Sequence, residues 1–314
     1  MKGAQTISAI VPTGNRSRRL QKMLESLAAQ SVQPFEIIVI DSSKSNRTKE
    51  VCAKGIPGLQ ARIGWIEAKI WGAAAQRNQG VACATQPFIW FIDDDIVFKP
   101  DCVGRLWQAM QSDPQLGGVN AMIVNQNYGR PGLLSRIVFT LLNGGREKTF
   151  AGKVIGPAVN LLPENREDLP EIVPVEWLNT TCTIYRRDAL PNPPFPDQFT
   201  GYSLMEDLAL SLEVAKNWKL ANVRTARIFH DSQSSEEKSN IQARSCMELV
   251  NRQFVMTRIM GKRGLFVYLK LVLWEMFSIA STLLSAEGRR SLIYILRGKA
   301  DAVRQIVTKR RRVA

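Results

Sequence analysis

Over the first 125 residues the apolar positions switch repeatedly between two periods. This alternation restricts the fold more than any other feature of the chain. "TISAIVP" is a continuous apolar strand. "SRRLQKMLESLAAQ" then places Leu20, Met23, Leu24, Leu27 and Ala28 on one helical face, with Ser17 as the expected N-cap. "FEIIVID" is a second strand, "NRTKEVCAKG" a short helix closed by Gly55, and "ARIGWIEA" a third strand. "GAAAQRNQGVACAT" is a helix, "PFIWFI" a fourth strand, "KPDCVGRLWQAMQSD" a helix with Pro100 in its first turn, and "GGVNAMIVN" another strand. Strands this apolar need cover on both faces. The expected class is therefore α/β, a mostly parallel sheet with helices on both sides, followed by a helical C-terminal region.

Ligands of such sheets sit beyond the carboxyl ends of the strands. Asp41 closes the second strand there, and Asp93, Asp94 and Asp95 follow the fourth. Three successive carboxylates repel one another, so they form either a solvated acidic loop or a site for a metal or polar ligand. Mg²⁺ or Mn²⁺ prefers oxygen donors and relieves that repulsion. On an extended segment Asp93 and Asp95 point to the same side and Asp94 elsewhere. His230, the single histidine, follows "ARIF" and is either a hydrogen-bonded structural residue or a metal ligand. In "MEDLALSLEVAK", Glu206 and Asp207 begin a helix, where acids compensate the dipole or where one acts as a general base. Helical neighbours are ~100° apart, so at most one of the two reaches a given substrate atom.

The 314-residue chain has a net charge of +14, unevenly spread. Residues 241–314 hold 15 Lys and Arg against four acids, whereas residues 1–240 hold 27 against 24. This sets an expected boundary near residue 240, with a catalytic-sized region 1–240 and a basic region 241–314. Five scattered cysteines without a CxxC pair argue against a zinc ribbon or disulfide framework and for a reducing cytosol. The apolar run near the N-terminus is too short for a signal-peptide core. "GLFVYLKLVLWEMFSIASTLLSA" (264–286) is long enough to cross a bilayer, but Lys270 and Glu275 near its middle fall on different helical faces. Each central charge costs ~2.5–3.5 kcal/mol on insertion scales. "RRSLIYILRGKADAVRQIVTKRRR" sets Leu292, Leu296, Val303 and Val307 along one stripe, with Arg297, Lys299 and Arg304 off it. Such a basic amphipathic helix binds a membrane surface or packs on the rest of the protein. No nucleic-acid partner is expected, because the basic residues interleave with large aliphatics and no such motif is present. "PGLLSRIVFTLLNGG" is an amphipathic helix with no assigned role, and "WLNTTCTIYRRDAL" a strand leading into a helix.

Six segments stand in the order found in the family 2 glycosyltransferases: "ISAIVPTGNRSRRLQKMLESLAAQ", "FEIIVIDSS", "GAAAQRNQG", "FIWFIDDDIVFKPD", "GYSLMEDLALSLEVAK" and "IFHDS". The chain resembles that family over about residues 6 to 232. The resemblance implies a GT-A (Rossmann-like) fold and inverting transfer from a nucleotide-diphosphate sugar to a hydroxyl of a glycan or lipid-linked acceptor. It implies cell-surface polysaccharide or glycolipid synthesis, at the cytoplasmic face of a membrane. Pro12, Thr13, Asn15 and Asp41 would line the nucleoside pocket, Arg77 and Asn78 would face the donor, and Asp94 would lie near the ribose. Asp93, Asp95 and His230 would hold Mg²⁺ or Mn²⁺, Asp207 would be the base with Glu206 as a second acid, and Arg186 and Arg187 would fall on the acceptor side. Two positions depart from the family. Gly14 replaces a common aromatic residue, and "WLNTTCTIYRR" lacks the usual glycine-rich turn. The rival readings are a nucleotide-binding scaffold without chemistry and a sugar nucleotidyltransferase. The latter usually opens with a glycine-rich loop, whereas "VPTGNRSRRL" has one glycine.

Overall fold

The structure is a computed structural model describing residues 4–232 and 239–313, with side chains described for 6–232 and 239–308. The basic side chains of residues 309–312 lie outside the described part. Two compact units result. The first comprises Met1–Tyr128 and Pro163–Ser232, the second Gly129–Leu162 and Gln233–Ala314. The division thus differs from a single cut near residue 240. Residues 129–162 carry an apolar helix face that is buried among the C-terminal helices, and charge composition gives no sign of it.

In the first unit the described residues form a nine-stranded sheet in the order β3-β2-β1-β4-β10-β6-β11-β5, with β9 on β11. The strands are β1 (Ala4–Thr13), β2 (Gln33–Asp41), β3 (Arg62–Glu67), β4 (Phe88–Ile92), β5 (Ile96–Phe98), β6 (Leu116–Ile123), β9 (Ile172–Val175), β10 (Cys182–Arg186) and β11 (Lys219–His230). β3, β2, β1 and β4 run parallel, as do β6 and β11, while β10 runs antiparallel between β4 and β6. The α/β, mostly parallel sheet read from the sequence is therefore present. β4 is buried along its whole length, as its unbroken apolar run requires. The edge strand β3 is instead half-exposed.

Helices α1 (Ser17–Ala28), α2 (Arg47–Lys54), α3 (Ala73–Cys83), α4 (Cys102–Ser112) and α6 (Glu206–Val214) complete the unit. α1 buries Leu20, Met23, Leu24, Leu27 and Ala28, the stripe that its spacing predicts. Truncating one such leucine to alanine costs about 2–5 kcal/mol. Ser17 is the first helical residue rather than the cap; Arg16 holds the cap position and makes no side-chain cap bond. Pro100 likewise precedes α4, whose cap position is Asp101. After β10 the chain makes only a 3₁₀ turn, Arg187–Ala189, not the expected helix. α3 lies close on β1 because Gly80 has no side chain: a Cβ there would stand 2.4 Å from Ile10 Cγ2.

The second unit contains α5 (Leu133–Asn143), a hairpin of β7 (Val154–Ile155) and β8 (Val159–Asn160), α7 (Ile241–Phe254), a π-helical turn (Val255–Ile259), α8 (Leu265–Thr282) and α9 (Ala286–Val313). Val138, Phe139 and Leu142 of α5 form a small core with Phe150, Ile155 and Val159, against which Leu273, Trp274 and Phe277 of α8 pack. α9 packs along α7.

The two central charges of α8 find partners that the sequence did not reveal. Lys270 Nζ donates to the Leu142 carbonyl at 2.7 Å. Glu275 Oε2 lies 2.8 Å from Lys299 Nζ, and Oε1 lies 3.7 Å from Arg252 Nε. These are close ion pairs rather than aligned hydrogen bonds. Glu248 closes the cluster, 2.9 Å from Arg252 and 3.1 Å from Lys299. Two cations and two anions thus balance between α7, α8 and α9. Lys299, placed off the apolar stripe of α9 by sequence, is one of these inward-turned groups.

Candidate active site

Strand register builds the site at the carboxyl edge of the first unit. Thr13 pairs with Asp41 at the ends of β1 and β2. β4 ends at Ile92, and the acidic triplet turns the chain into β5, where Ile96 pairs with His230 of β11. That one pairing brings His230 beside Asp95: Nε2 lies 3.0 Å from Asp95 Oδ1. One ligand atom each of Asp93, Asp95 and His230 falls within 4.8 Å of the others. Two carboxylates and an imidazole so placed fit a divalent cation.

The triplet is a turn rather than an extended segment, and its three carboxylates part company. Asp94, 2% exposed, accepts from Thr13 Oγ1 at 2.6 Å and from Arg16 Nη1 at 3.1 Å. Burial pushes its carboxyl up to about 6 despite the pull of Arg16 and Thr13. Arg16 also lies 3.4 Å from Asp95 Oδ2. Asp93 is gripped by Arg77, whose Nη2 donates to Oδ1 at 2.7 Å.

Arg77 is the hinge of the arrangement. Its other terminal nitrogen donates to Glu206 Oε1 at 3.0 Å, so one buried guanidinium spans the triplet and the acidic pair of α6. Burial disfavours its charge, but Asp93 and Glu206 more than offset this and raise its pKa. Glu206 and Asp207 are both raised, first by burial and then, for Glu206, by its neighbour's charge. Asp207 Oδ1 accepts from Leu208 N at 2.7 Å. Met205 and Ser203 hold left-handed backbone conformations just before the pair, φ 70° and 56°. Strain of this kind, unusual for side-chain-bearing residues, concentrates at functional sites.

On the β1–β2 side, Asp41 accepts from Ser43 N at 2.9 Å and Trp65 Nε1 at 3.0 Å. Asn15, at φ 58°, donates its backbone N–H to Ser43 Oγ and accepts from Lys44 N at 3.2 Å. Pro12 pairs with Ile40 one position before. Gln76, which sequence reasoning missed, donates to both Thr13 O (2.9 Å) and Ile40 O (2.7 Å) and ties the two strand ends together. Arg16 was missed too, although its place beside Asn15 in "TGNR" was a signal.

Three residues hydrogen-bond elsewhere than expected. The Asn78 amide is engaged by a neighbouring loop: it donates to Phe195 O at 2.7 Å and accepts from Phe195 N at 3.0 Å. Arg186 donates to Leu116 O and Met110 O, and Arg187 to Gln86 O and Val81 O. Because β10 is antiparallel, Arg186 pairs with Phe88 at the start of β4, the edge opposite the triplet.

The chain matches the sequence model of the family described as glycosyl transferase family 2 over residues 8–190. That is more than half of its length, and the protein belongs to this family. It is similar to an uncharacterized glycosyltransferase of Haemophilus influenzae, 29% identical over 110 residues, covering 35% of this chain and 36% of that one. It is also similar to the GalNAc(5)-diNAcBac-PP-undecaprenol beta-1,3-glucosyltransferase of Campylobacter jejuni, 23% identical over 197 residues, covering 62% and 56%. The matches thus span about a third and a little over half of these relatives. Among solved structures, mannosyltransferase PcManGT from Pyrobaculum calidifontis, solved in complex with GDP-Man and Mn²⁺, superposes with a TM-score of 0.57 at 14% identity, over 96% of this chain and 88% of that one. That likeness shows the GT-A fold. The family match ends before Glu206, Asp207 and His230, so it is the geometry that joins them to Asp93 and Asp95.

Proposed function

We propose that this protein is an inverting glycosyltransferase. It moves a hexosyl group from a nucleoside diphosphate sugar to a hydroxyl of a glycan or lipid-linked acceptor, at the cytoplasmic face of a membrane, in cell-surface polysaccharide or glycolipid synthesis. The observation that carries this reading is the Asp93–Arg77–Glu206 bridge, which links a candidate cation corner to the partly buried acidic pair of α6.

Asp93, Asp95 and His230 would hold Mg²⁺ or Mn²⁺, the imidazole tilting the choice toward manganese. When bound, the ion supplies Lewis-acid neutralisation of the departing diphosphate. Pro12, Thr13, Asn15 and Asp41 form the nucleoside side. The carboxylate of Asp41 is oriented by Ser43 and Trp65 and keeps lone pairs for a further donor. Asp207 takes the proton of the acceptor hydroxyl as that oxygen attacks the anomeric carbon. Burial, which raises its pKa, makes it a better proton acceptor at neutral pH. Glu206, tied to the cationic Arg77, positions the pair rather than accepting the proton. A single displacement inverts the anomeric centre, and the nucleoside diphosphate leaves.

The test is transfer or donor hydrolysis with a set of nucleotide sugars and Mn²⁺, with the product anomer assigned by NMR. Asp207→Asn and Asp95→Ala should each lower turnover by about 10²-fold or more with unchanged circular dichroism. Near-normal turnover by Asp207→Asn removes it as the base, and a product of retained configuration removes the single displacement.

A further inference from the structure

In the second unit, α5 and α8 pack through a shared core and each turns a second apolar stripe outward. On α5 the outward residues are Leu134, Ile137 and Leu141, between 50% and 67% exposed. On α8 they are Phe266, Leu269 and Met276, between 54% and 79% exposed. Both sets recur at helical spacing, so each is a face rather than a scatter of single residues. Apolar surface so gathered marks an interaction site.

The charges around it identify the occupant. The two charged side chains within α8 are turned inward, Lys270 to the Leu142 carbonyl and Glu275 to Lys299 and Arg252. The acids Glu248 and Glu275 are both consumed in that internal cluster. Basic residues outnumber acids among the exposed charges flanking the stripes: Arg136 on α5, Lys262 and Arg263 just before α8, and Arg289 and Arg290 just beyond it, against the acid Glu287. An uncharged apolar face with a net basic rim complements a bilayer with anionic headgroups.

The same contacts decide how the bilayer is met. α8 is long and apolar enough to cross a membrane. Near its middle, however, it is tied to α5, α7 and α9 through Lys270 and Glu275. Crossing would either break these pairs or draw Arg252 and Lys299 into hydrocarbon. We propose that α5 and α8 lie in the plane of an anionic lipid surface, seating the outward stripes in the headgroup–acyl boundary without crossing it. This deepens the membrane placement given above and rests on that reading for its biological setting.

The experiment is flotation of the full chain with vesicles of phosphatidylcholine alone, or with about one-third phosphatidylglycerol. Wild type should float with the mixed vesicles and be released by alkaline carbonate. Phe266→Ser with Met276→Ser should weaken binding roughly 10-fold or more, and Lys262→Glu with Arg263→Glu should remove the preference for phosphatidylglycerol. Val303→Ser with Val307→Ser on α9 should bind as wild type. The proposal is overturned if the α8 double variant floats unchanged, if carbonate fails to release the protein, or if light scattering shows a lipid-free dimer that Leu269→Ser dissociates. Donor binding by each variant, followed by thermal shift, reports separately on the catalytic reading.

Discussion

His230 Nε2 and Asp95 Oδ1 stand 3.0 Å apart across the β5–β11 pairing, 135 positions apart in the chain. Strand register alone makes them neighbours of Asp93. If the three form a cation site, His230→Ala should weaken Mn²⁺ binding by about 10-fold or more, read by electron paramagnetic resonance without any donor. Unchanged affinity would assign the ion to the carboxylates alone.

Arg77 is a buried cation between two acids, with its side chain 4% exposed. Arg77→Ala strands Asp93 and Glu206 together. The expected loss is about 3–5 kcal/mol of stability in urea unfolding. A loss under about 1 kcal/mol would mean that the bridge is not maintained in solution.

Asp94 has its carboxyl raised by burial to about 6, above an unfolded value near 3.8. The folded state therefore binds the proton more tightly, and the stability from this group is full below the unfolded pKa. It is lost as pH rises through about 4 to 6. Without metal, Asp94→Asn should gain on wild type across that window, by on the order of 1–3 kcal/mol. Melting temperatures between pH 4 and 8 check this, and a pH-independent difference would contradict it.

Gly72 adopts φ +128°, and a Cβ there would stand 2.9 Å from the backbone N and O of Gly201. Gly201 opens the loop that delivers Glu206. Gly72→Ala should therefore cost about 1–3 kcal/mol and lower transfer about 10-fold or more. Leu24→Ala, distant from that loop, should lower stability while leaving the Michaelis constant unchanged. A wild-type rate in Gly72→Ala would free the acidic pair from this contact.

Glu275→Gln in the second unit leaves Arg252 and Lys299 with Glu248 alone. Their side chains are 6% and 12% exposed, so about 3 kcal/mol should be lost. Hydrogen exchange confined to α7, α8 and α9 should report it. Unchanged protection would mean that the cluster contributes nothing.

Much of the first unit was legible because its strands are uninterrupted apolar runs and its helices keep strict faces: β4 and the buried stripe of α1 are where their patterns put them. The triplet, Asp41, Thr13 and the α6 acids fall at the carboxyl edge for the same reason. Other features depend on contacts with no local signature. β5 is three residues long, too short for periodicity to show. Asn78 sits in the motif that holds Arg77, yet its direction is set by Phe195, 117 positions away. Arg186 was misplaced because the reversed direction of β10 cannot be read from its residues. Lys270 and Glu275 looked like a penalty because their partners lie on other helices.

The second unit is stitched from two distant stretches, and this bears on how the protein can be cut. A shortened gene stopping at codon 240 would retain α5 and the hairpin while discarding Leu273, Trp274 and Phe277, which pack against their core. Such a truncate would emerge with a greasy wound and aggregate during expression. A soluble catalytic fragment needs two excisions, one internal and one terminal.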